Sequence, residues 1–179
     1  MGEATSRRRF LCGAAGLAVC LLVPGRVRGA VAPVRALSFS NLHTGERLRV
    51  TYREGGAYVP DALASLDRLL RDHRTGEVHP IDPGLFDVLS DVRDATGGGT
   101  FEVISGFRSD ATNRMLREHS HGGVAERSLH LVGRAIDVRL CGVETPRLRG
   151  AALALRRGGV GFYPDLDFVH LDTGRVRFW

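Results

Sequence analysis

Two short segments carry metal-binding side chains within apolar, strand-like sequence, and they constrain the fold more than any other feature. Residues 128–137 have the sequence SLHLVGRAID, with His130 and Asp137, and residues 168–172 have the sequence FVHLD, with His170. Two imidazoles and one carboxylate, with water in the fourth position, form the ligand set of an open catalytic zinc site. The fold must therefore bring these two segments side by side, as an antiparallel sheet could.

The charge of such a site favours hydrolytic chemistry. A single carboxylate leaves a bound Zn²⁺ with net positive charge, so the ion can act as a Lewis acid and lower the pKa of its water toward roughly 7. We therefore predict hydrolysis by attack of a metal-bound water, with one zinc ion per chain. Nitrogen and oxygen donors also accept other divalent ions, so the sequence does not fix the metal.

The first 30 residues have the sequence of an export signal. Residues 6–11 are SRRRFL, which is typical of a twin-arginine signal, and an apolar run follows over residues 11–23. That run would rise about 20 Å as a helix, too short for a hydrocarbon core of ~30 Å, so we expect no permanent membrane anchor. We expect cleavage near Ala30 or Ala32. A chance basic start on a cytoplasmic amidase is the alternative.

Removing the signal changes the charge and the cysteine content. The whole chain has a net charge of +5, and residues 1–30 contribute five Arg and one Glu, or +4, so residues 31–179 carry about +1. This balance gives no indication of a nucleic-acid partner, which would need a clustered basic face. Cys141 is the only cysteine left, so the domain has no internal disulfide. We expect residues 31–179 to form a single, monomeric domain in the periplasm or cell envelope.

The order of predicted elements indicates an α+β fold. A hairpin is predicted over residues 36–53, with its turn near Thr44 and Gly45. Helices are predicted to begin at Asp61, at Asp82, at Ser109 or Asp110, and at Thr145, and further strands are predicted at 101–104, 134–140, 160–163 and 168–173. Because strands and helices are grouped, we predict a small antiparallel sheet flanked by helices.

The segment 128–137 also resembles a known signature. Its pattern Ser-x-His-x-x-Gly-x-Ala-x-Asp is similar to that of the zinc metallopeptidases that include D-Ala-D-Ala carboxypeptidases, D-Ala-D-Ala dipeptidases and murein endopeptidases. The sequence SGFRS at 105–109 looks like the arginine turn of that family. The stretch 37–179 most resembles the exported murein endopeptidase branch, including NLHTG at 41–45, LRDHR at 70–74 and GGVG at 158–161.

The resemblance implies a site, a fold and an activity. It implies that His130, Asp137 and His170 are the zinc ligands, and that Arg108 holds a substrate carbonyl or carboxylate. It implies the small α+β fold of the hedgehog and D-Ala-D-Ala-peptidase type, and cleavage of amide bonds in the peptides of peptidoglycan. Endopeptidase action is favoured over carboxypeptidase trimming because the closest resemblance is to endopeptidases.

Two aspartates compete for the role of general base. In related peptidases a Glu three residues before the last His ligand often takes the proton from the metal-bound water, and the matching residue here is Asp167. Positions three apart in a regular strand point to opposite faces, so Asp167 must lie in a bend to reach the site. Asp172 shares a face with His170, about 7 Å away along the strand, and is better placed to orient the imidazole. We expect Asp167 to be the base, with Asp172 as the fallback.

Other polar residues receive lesser roles. Arg108 is predicted to stabilise the oxyanion. Ser128 and Arg134 are expected to have a structural role or to contact the metal ligands. The remaining candidates are expected to lie in solvent, beside turns or at the rim of the site: His119, His121, His43, His73, His79 and Glu126. A non-catalytic wall-binding or partner-binding module that keeps the metal is the alternative function. It gains weight if Asp167 points away from the metal.

Overall fold

Eight strands form one sheet, and their order makes the two ligand-bearing strands neighbours. The computed structural model describes residues 33–119 and 124–179. The strands are β1 (Arg35–Asn41), β2 (Arg47–Glu54), β3 (Ala57–Tyr58), β4 (Phe101–Ser105), β5 (Ala135–Leu140), β6 (Gly159–Tyr163), β7 (Phe168–Asp172) and β8 (Arg177–Phe178). Their order in the sheet is β3-β2-β1-β4-β5-β7-β6-β8. The pairs β1/β4 and β6/β8 are parallel and the other pairs are antiparallel.

Four helices complete an α+β fold, which confirms the predicted class. They are α1 (Pro60–Leu69), α2 (Pro83–Thr96), α3 (Asp110–His119) and α4 (Thr145–Leu155). Helix α2 has the predicted ends: the Asp82 side chain accepts a hydrogen bond from the Gly84 backbone, and Gly97 closes the helix at φ 70°. The predicted start of α1 was wrong, because Val59 precedes the helix and Asp61 lies inside its first turn.

The apolar core lies against the sheet on the side away from the metal-binding side chains. Helices α1, α2 and α4 pack on the strands, and α2 and α4 contact each other. In β5, Ile136, Val138 and Leu140 are buried in this core. Because successive side chains of a strand point to opposite faces, Asp137 projects from the other face of the sheet. One face of the sheet therefore packs against the apolar core, and part of the other face carries the metal-binding side chains.

The N-terminal predictions lie outside the described residues. Residues 1–30, with the proposed export signal, and both predicted cleavage positions, Ala30 and Ala32, belong to that part of the chain. Across residues 33–119 and 124–179, none of the helices combines the length and the hydrophobicity needed to cross a bilayer.

Candidate metal centre

Asp137 and His170 are brought together by the register of β5 and β7. The two residues are directly paired across these antiparallel strands. Directly opposed residues place their Cβ atoms about 4.5–5.5 Å apart on the same face. The neighbours of Asp137, Ile136 and Val138, are both 0% exposed, which fixes the outward direction of the carboxylate. The alternation predicted for this strand is confirmed.

His130 arrives from a short 3₁₀ helix, Leu129–Val132, that the sequence analysis did not predict. Ser128 precedes this helix, and its side chain accepts a hydrogen bond from the His130 backbone N–H at 3.4 Å. Gly133 ends it in the left-handed region at φ 63°, where a Cβ atom would collide with the Pro80 carbonyl. The Ser and Gly of the signature therefore shape the backbone that presents His130.

Three donor atoms from these residues converge on one point. His130 Nε2 lies 3.2 Å from His170 Nδ1 and 3.3 Å from Asp137 Oδ1, and the last two atoms are 2.8 Å apart. Ligand atoms at 2.0–2.1 Å around a tetrahedral ion lie roughly 3.3 Å from one another. The side chains are buried, with His130, Asp137 and His170 only 2%, 6% and 8% exposed. The donor set therefore fits a single divalent ion.

Hydrogen bonds set the tautomer of each imidazole. His130 Nδ1 lies 2.7 Å from the Gly106 carbonyl oxygen, which can only accept, so this nitrogen donates and Nε2 keeps its lone pair. His170 Nε2 lies 3.2 Å from Asp172 Oδ2 and donates to it, so in the neutral imidazole the lone pair is on Nδ1. In the neutral form that binds a metal, each histidine thus turns the nitrogen with the lone pair toward the convergence point.

Asp172 is placed to orient His170 rather than to act as a base. Its carboxylate accepts hydrogen bonds from the backbone of Gly159 at 2.9 Å and Gly174 at 2.8 Å, and from Arg177 at 2.7 Å. Burial raises the pKa of Asp172, but the bonds from His170, the two amides and Arg177 outweigh it and hold the pKa well below its usual range. The structure therefore gives no support to Asp172 as the fallback base.

The electrostatics of the site favour positive charge between the two carboxylates. Burial lowers the pKa of His170, but hydrogen bonds to Asp137 and Asp172 outweigh it and raise the pKa to about 9. Burial alone would raise the pKa of Asp137, but the two histidines outweigh burial and hold the pKa far below its usual range. The pKa of His130 is lowered, chiefly by burial. Asp137 is therefore ionised and can act as an anionic ligand.

Arg108 lies beside the donor atoms. Its backbone N–H donates to the His130 carbonyl at 3.2 Å, and its Nη2 lies 3.2 Å from Ser105 Oγ and 3.4 Å from Asp137 Oδ2. Burial lowers the pKa of Arg108, and Asp137 opposes that effect. Its Nε is buried without a hydrogen-bond partner among the described residues. Its Nη1 also forms no hydrogen bond with the described residues and is less buried than Nε, so the guanidinium keeps a donor for a substrate.

Asp72 anchors the arginine turn, a role that the sequence analysis missed. Its Oδ2 accepts from the Ser109 backbone at 2.9 Å and from the Ser109 hydroxyl at 2.7 Å, and its Oδ1 accepts from the Arg74 backbone at 2.9 Å. Burial raises the pKa of Asp72, but these bonds and one from Thr112 outweigh it and hold the pKa well below its usual range. The motif LRDHR at 70–74 carried the signal, since a charged residue rarely lies buried without a purpose.

The donor atoms open onto a cavity of about 650 Å³. Its walls are formed by apolar, aromatic and basic residues: Arg108, Leu116, Val124, Ala125, Arg127, Ser128, Leu129, His130, Asp137, Tyr163, Leu166, Phe168, His170, Arg177 and Trp179. Four of these residues have no recognisable signal in the sequence: Arg127, Tyr163, Arg177 and Trp179. Among the described residues that line this cavity, Asp137 is the only one with an acidic side chain.

Asp167, the predicted general base, lies in a bend, and its side chain contacts residues that do not line the cavity. A 3₁₀ turn at Pro164–Leu166 leaves Asp167 in the left-handed region at φ 51°, and its side chain is 63% exposed. Its Oδ1 accepts a hydrogen bond from the Thr145 hydroxyl at 2.5 Å, and its Oδ2 lies 3.3 Å from Arg139 Nε. These partners hold the carboxylate away from the cavity, which Asp167 does not line.

The remaining histidines do not join the metal group. Among the described residues, one group of donors has the spacing for an ion, and it contains only His130, Asp137 and His170. His43 and His73 stack at 3.8 Å between ring centroids, and His79 stacks on Phe107 at 4.7 Å. These contacts fit the structural roles expected for them.

The residues assigned to the rim or to support are placed as follows. His119 is exposed, as predicted, and its ring contacts the Met115 carbonyl, whereas His121 lies outside the described residues. Glu126 is exposed and lies 3.8 Å from Arg117. Arg134 hydrogen-bonds the Thr173 hydroxyl at 3.1 Å, behind the ligands.

The fold and the donor set define a metallopeptidase-type site, and comparison with known proteins specifies the family. Residues 29–179 match the family described as peptidoglycan L,D-endopeptidase MepK. The chain is 38% identical over 179 residues to peptidoglycan L,D-endopeptidase MepK of Escherichia coli (strain K12), covering 99% of this chain and 98% of that protein. It is 44% identical over 147 residues to the probable peptidoglycan L,D-endopeptidase MepK of Haemophilus influenzae, covering 81% and 78%. The chain belongs to this family of peptidoglycan endopeptidases. No solved structure matches the chain.

Replacing Asp172 with asparagine should weaken metal binding. In Asp172→Asn the amide can turn an N–H toward His170, which favours the tautomer with a proton on Nδ1, the nitrogen that would bind the ion. We expect zinc affinity, measured by competition with a chelator, to fall about 10- to 100-fold. Asp165→Asn, at an exposed position, should leave the affinity unchanged. Equal affinities for the two variants would contradict the orienting role of Asp172.

Replacing Asp72 with asparagine should destabilise the fold in a pH-dependent way. The pKa of Asp72 is lowered in the folded state, so its contribution is present above the unfolded pKa of about 3.9 and is lost as the pH falls below it. We expect denaturant unfolding at pH 7 to show a loss of about 1–3 kcal/mol in Asp72→Asn. The difference from the unsubstituted protein should shrink below about pH 4. Asp94→Asn, at a residue with 61% of its side chain exposed, is the control and should change stability by less than ~0.5 kcal/mol. A loss that is independent of pH would contradict the role of the carboxylate charge.

Proposed function

We propose that this chain is an exported, zinc-dependent murein endopeptidase that hydrolyses amide bonds in the stem peptides or cross-links of peptidoglycan. The observation that carries the proposal is the convergence of His130 Nε2, His170 Nδ1 and Asp137 Oδ1 at the edge of an open cavity. The names of the relatives support the substrate class, since both are described as peptidoglycan L,D-endopeptidases. The twin-arginine sequence in residues 1–30 supports delivery to the periplasm or cell envelope, where this substrate lies.

Zinc suits the donor set better than a harder ion does. Two imidazole nitrogens and one carboxylate oxygen are typical ligands of catalytic zinc, whereas magnesium and calcium prefer oxygen alone. When bound, zinc supplies Lewis-acid polarisation of the scissile carbonyl and activates water for attack. The chain itself contributes fixed tautomers, through the Gly106 carbonyl for His130 and through Asp172 for His170.

Arg108 is the residue that holds the reacting carbonyl. Its guanidinium is largely removed from solvent, with 11% of the side chain exposed, so its attraction for developing negative charge is weakly screened. Its position is fixed by hydrogen bonds to Ser105 and to the His130 carbonyl, and by the Asp72 contact with the adjacent Ser109. A fixed cation at the site of charge development stabilises the transition state more than the ground state.

The charge of the cavity matches the proposed substrate. Arg108, Arg127 and Arg177 line it, and Asp137 is the only acidic side chain of the described lining. Asp137 lies beside Arg108 and Asp172 pairs with Arg177, while Arg127 has no such partner among the described residues. A positive cavity attracts peptides that carry free carboxylates, as peptidoglycan stem peptides do. This match supports a peptidoglycan peptide over a neutral peptide as the substrate.

A non-catalytic module that binds metal and wall is the second candidate. The observation in its favour is the orientation of Asp167, which interacts with Thr145 and Arg139 instead of facing the cavity. A binding module, however, has no need of a buried guanidinium with an unpaired donor beside the metal donors. The arrangement around Arg108 therefore favours the enzyme.

Cleavage of defined substrates tests the proposed function. Zinc-loaded protein incubated with purified cross-linked muropeptides should release fragments whose masses identify the bond cut. His130→Ala should reduce the rate by at least about 10³-fold because it removes a metal ligand. His119→Ala, which removes an exposed histidine, should retain full activity. Removal of the metal by a chelator should abolish cleavage, and added zinc should restore it. If the unsubstituted protein binds zinc but cleaves no cross-linked or stem peptide, the enzyme proposal is wrong.

Replacing Asp167 distinguishes its observed position from the position that a base would need. Because its carboxylate contacts Thr145 and Arg139 outside the cavity, we expect Asp167→Ala to retain kcat within about tenfold. Steady-state kinetics on the same muropeptides measures the effect. A loss approaching 10³-fold with normal zinc content would mean that Asp167 moves to the metal during the reaction and acts as the base.

A further inference from the structure

The ring of Tyr163 is fixed at the wall of the cavity. Tyr163 is the last residue of β6, and its register partner on β7 is Phe168. The two rings stack with centroids 4.6 Å apart and planes inclined by 19°. Both residues line the cavity that holds the metal donors. The hydroxyl of Tyr163 is therefore carried at a defined position on a rigid element.

A single hydrogen bond determines what this hydroxyl can do. Trp179 Nε1 lies 3.0 Å from Tyr163 Oη. An indole N–H can only donate, so the phenol oxygen is the acceptor in this bond. The phenol O–H is then free to donate elsewhere, and it has no other partner among residues 33–119 and 124–179. Trp179 thus leaves Tyr163 with an unused donor at the cavity wall.

The position of Trp179 is itself built by the surrounding structure. The indole lies 5.2 Å from the ring of His170 and 5.0 Å from the guanidinium carbon of Arg177. Its backbone pairs with β6, because the Trp179 N–H donates to the Val160 carbonyl at 3.2 Å. A Cβ atom at Gly161 would lie 2.7 Å from the indole ring, so glycine is required to make room for it. The donor to Tyr163 is therefore held against the metal ligand His170.

Tyr163 and Arg108 line the same cavity as the metal donor atoms. A carbonyl oxygen near Arg108 would thus find a second donor in the phenol O–H. Two preorganised donors converging on one developing anion is the arrangement of an oxyanion hole.

We propose that Tyr163 is a further catalytic residue, whose O–H donates a hydrogen bond to the scissile carbonyl oxygen as negative charge develops there. The proton stays on the phenol, and the tyrosine forms no covalent bond to the substrate. Trp179 is a positioning residue, because its N–H occupies the phenol oxygen and directs the O–H into the cavity. This inference rests on the proposed peptidase function.

The test compares three variants of the zinc-loaded, full-length protein acting on purified cross-linked muropeptides. Tyr163→Phe keeps the stacked ring and removes only the hydroxyl, so kcat should fall about 10²-fold while KM changes by less than about threefold. Trp179→Phe removes the indole N–H and should lower kcat by a smaller factor, about three- to tenfold. Tyr58→Phe is the matched control: its hydroxyl donates to Asp87 at 2.7 Å, outside the cavity, and kcat should be unchanged.

Zinc content and melting temperature are measured for each variant, so that a lost fold or a lost metal is recognised. If Tyr163→Phe does not fold, a fall in kcat for Trp179→Phe supports the proposal and an unchanged kcat overturns it. Cleavage by the unsubstituted protein together with equal kcat for Tyr163→Phe overturns the role of Tyr163 and leaves the peptidase function standing. A rise in KM with unchanged kcat also overturns it, because the hydroxyl would then bind only the ground state. Absence of cleavage by the unsubstituted protein overturns the peptidase function and this inference with it.

Discussion

The pairing of β5 with β7 is the constraint on which the site depends. This register sets Asp137 opposite His170 on one face of the sheet, and it is enforced by Ile136 and Val138, which are buried on the other face. A shift by one residue would turn Asp137 into the apolar core, where an unpaired carboxylate is very costly. The same burial that stabilises the domain therefore determines which side chains can meet an ion.

Around this pair, buried carboxylates fix the orientation of the side chains at the site. Asp172 is fixed by two backbone amides and Arg177, and it orients His170. Asp72 is fixed in a similar way and anchors the turn that carries Arg108. Each anion is compensated by several donors, so it holds its partner in one geometry and not in an ensemble. The residues that would do the chemistry thus depend on charges that face away from the cavity.

The sequence predicted the site best where the pattern was local or periodic. The alternation in β5 predicted that Asp137 leaves the core, and Asp82 with Gly97 predicted both ends of α2. The direction of Asp167 could not be predicted, because it depends on a left-handed turn and on contacts with Thr145 and Arg139, neither of which is near it in sequence. The pairing of Tyr163 with Trp179 joins residues that are 16 positions apart and leaves no periodic signal.

The central claim is that His130, Asp137 and His170 bind one ion and leave a position open toward the cavity. X-ray absorption spectroscopy at the zinc edge of the loaded protein tests it most directly. The structure predicts one zinc ion per chain, with two imidazole nitrogens and one carboxylate oxygen at about 2.0–2.1 Å, a water-like oxygen in addition, and loss of this spectrum in His130→Ala. A shell without imidazole, a closed shell of protein ligands alone, or less than one ion per chain would contradict the account.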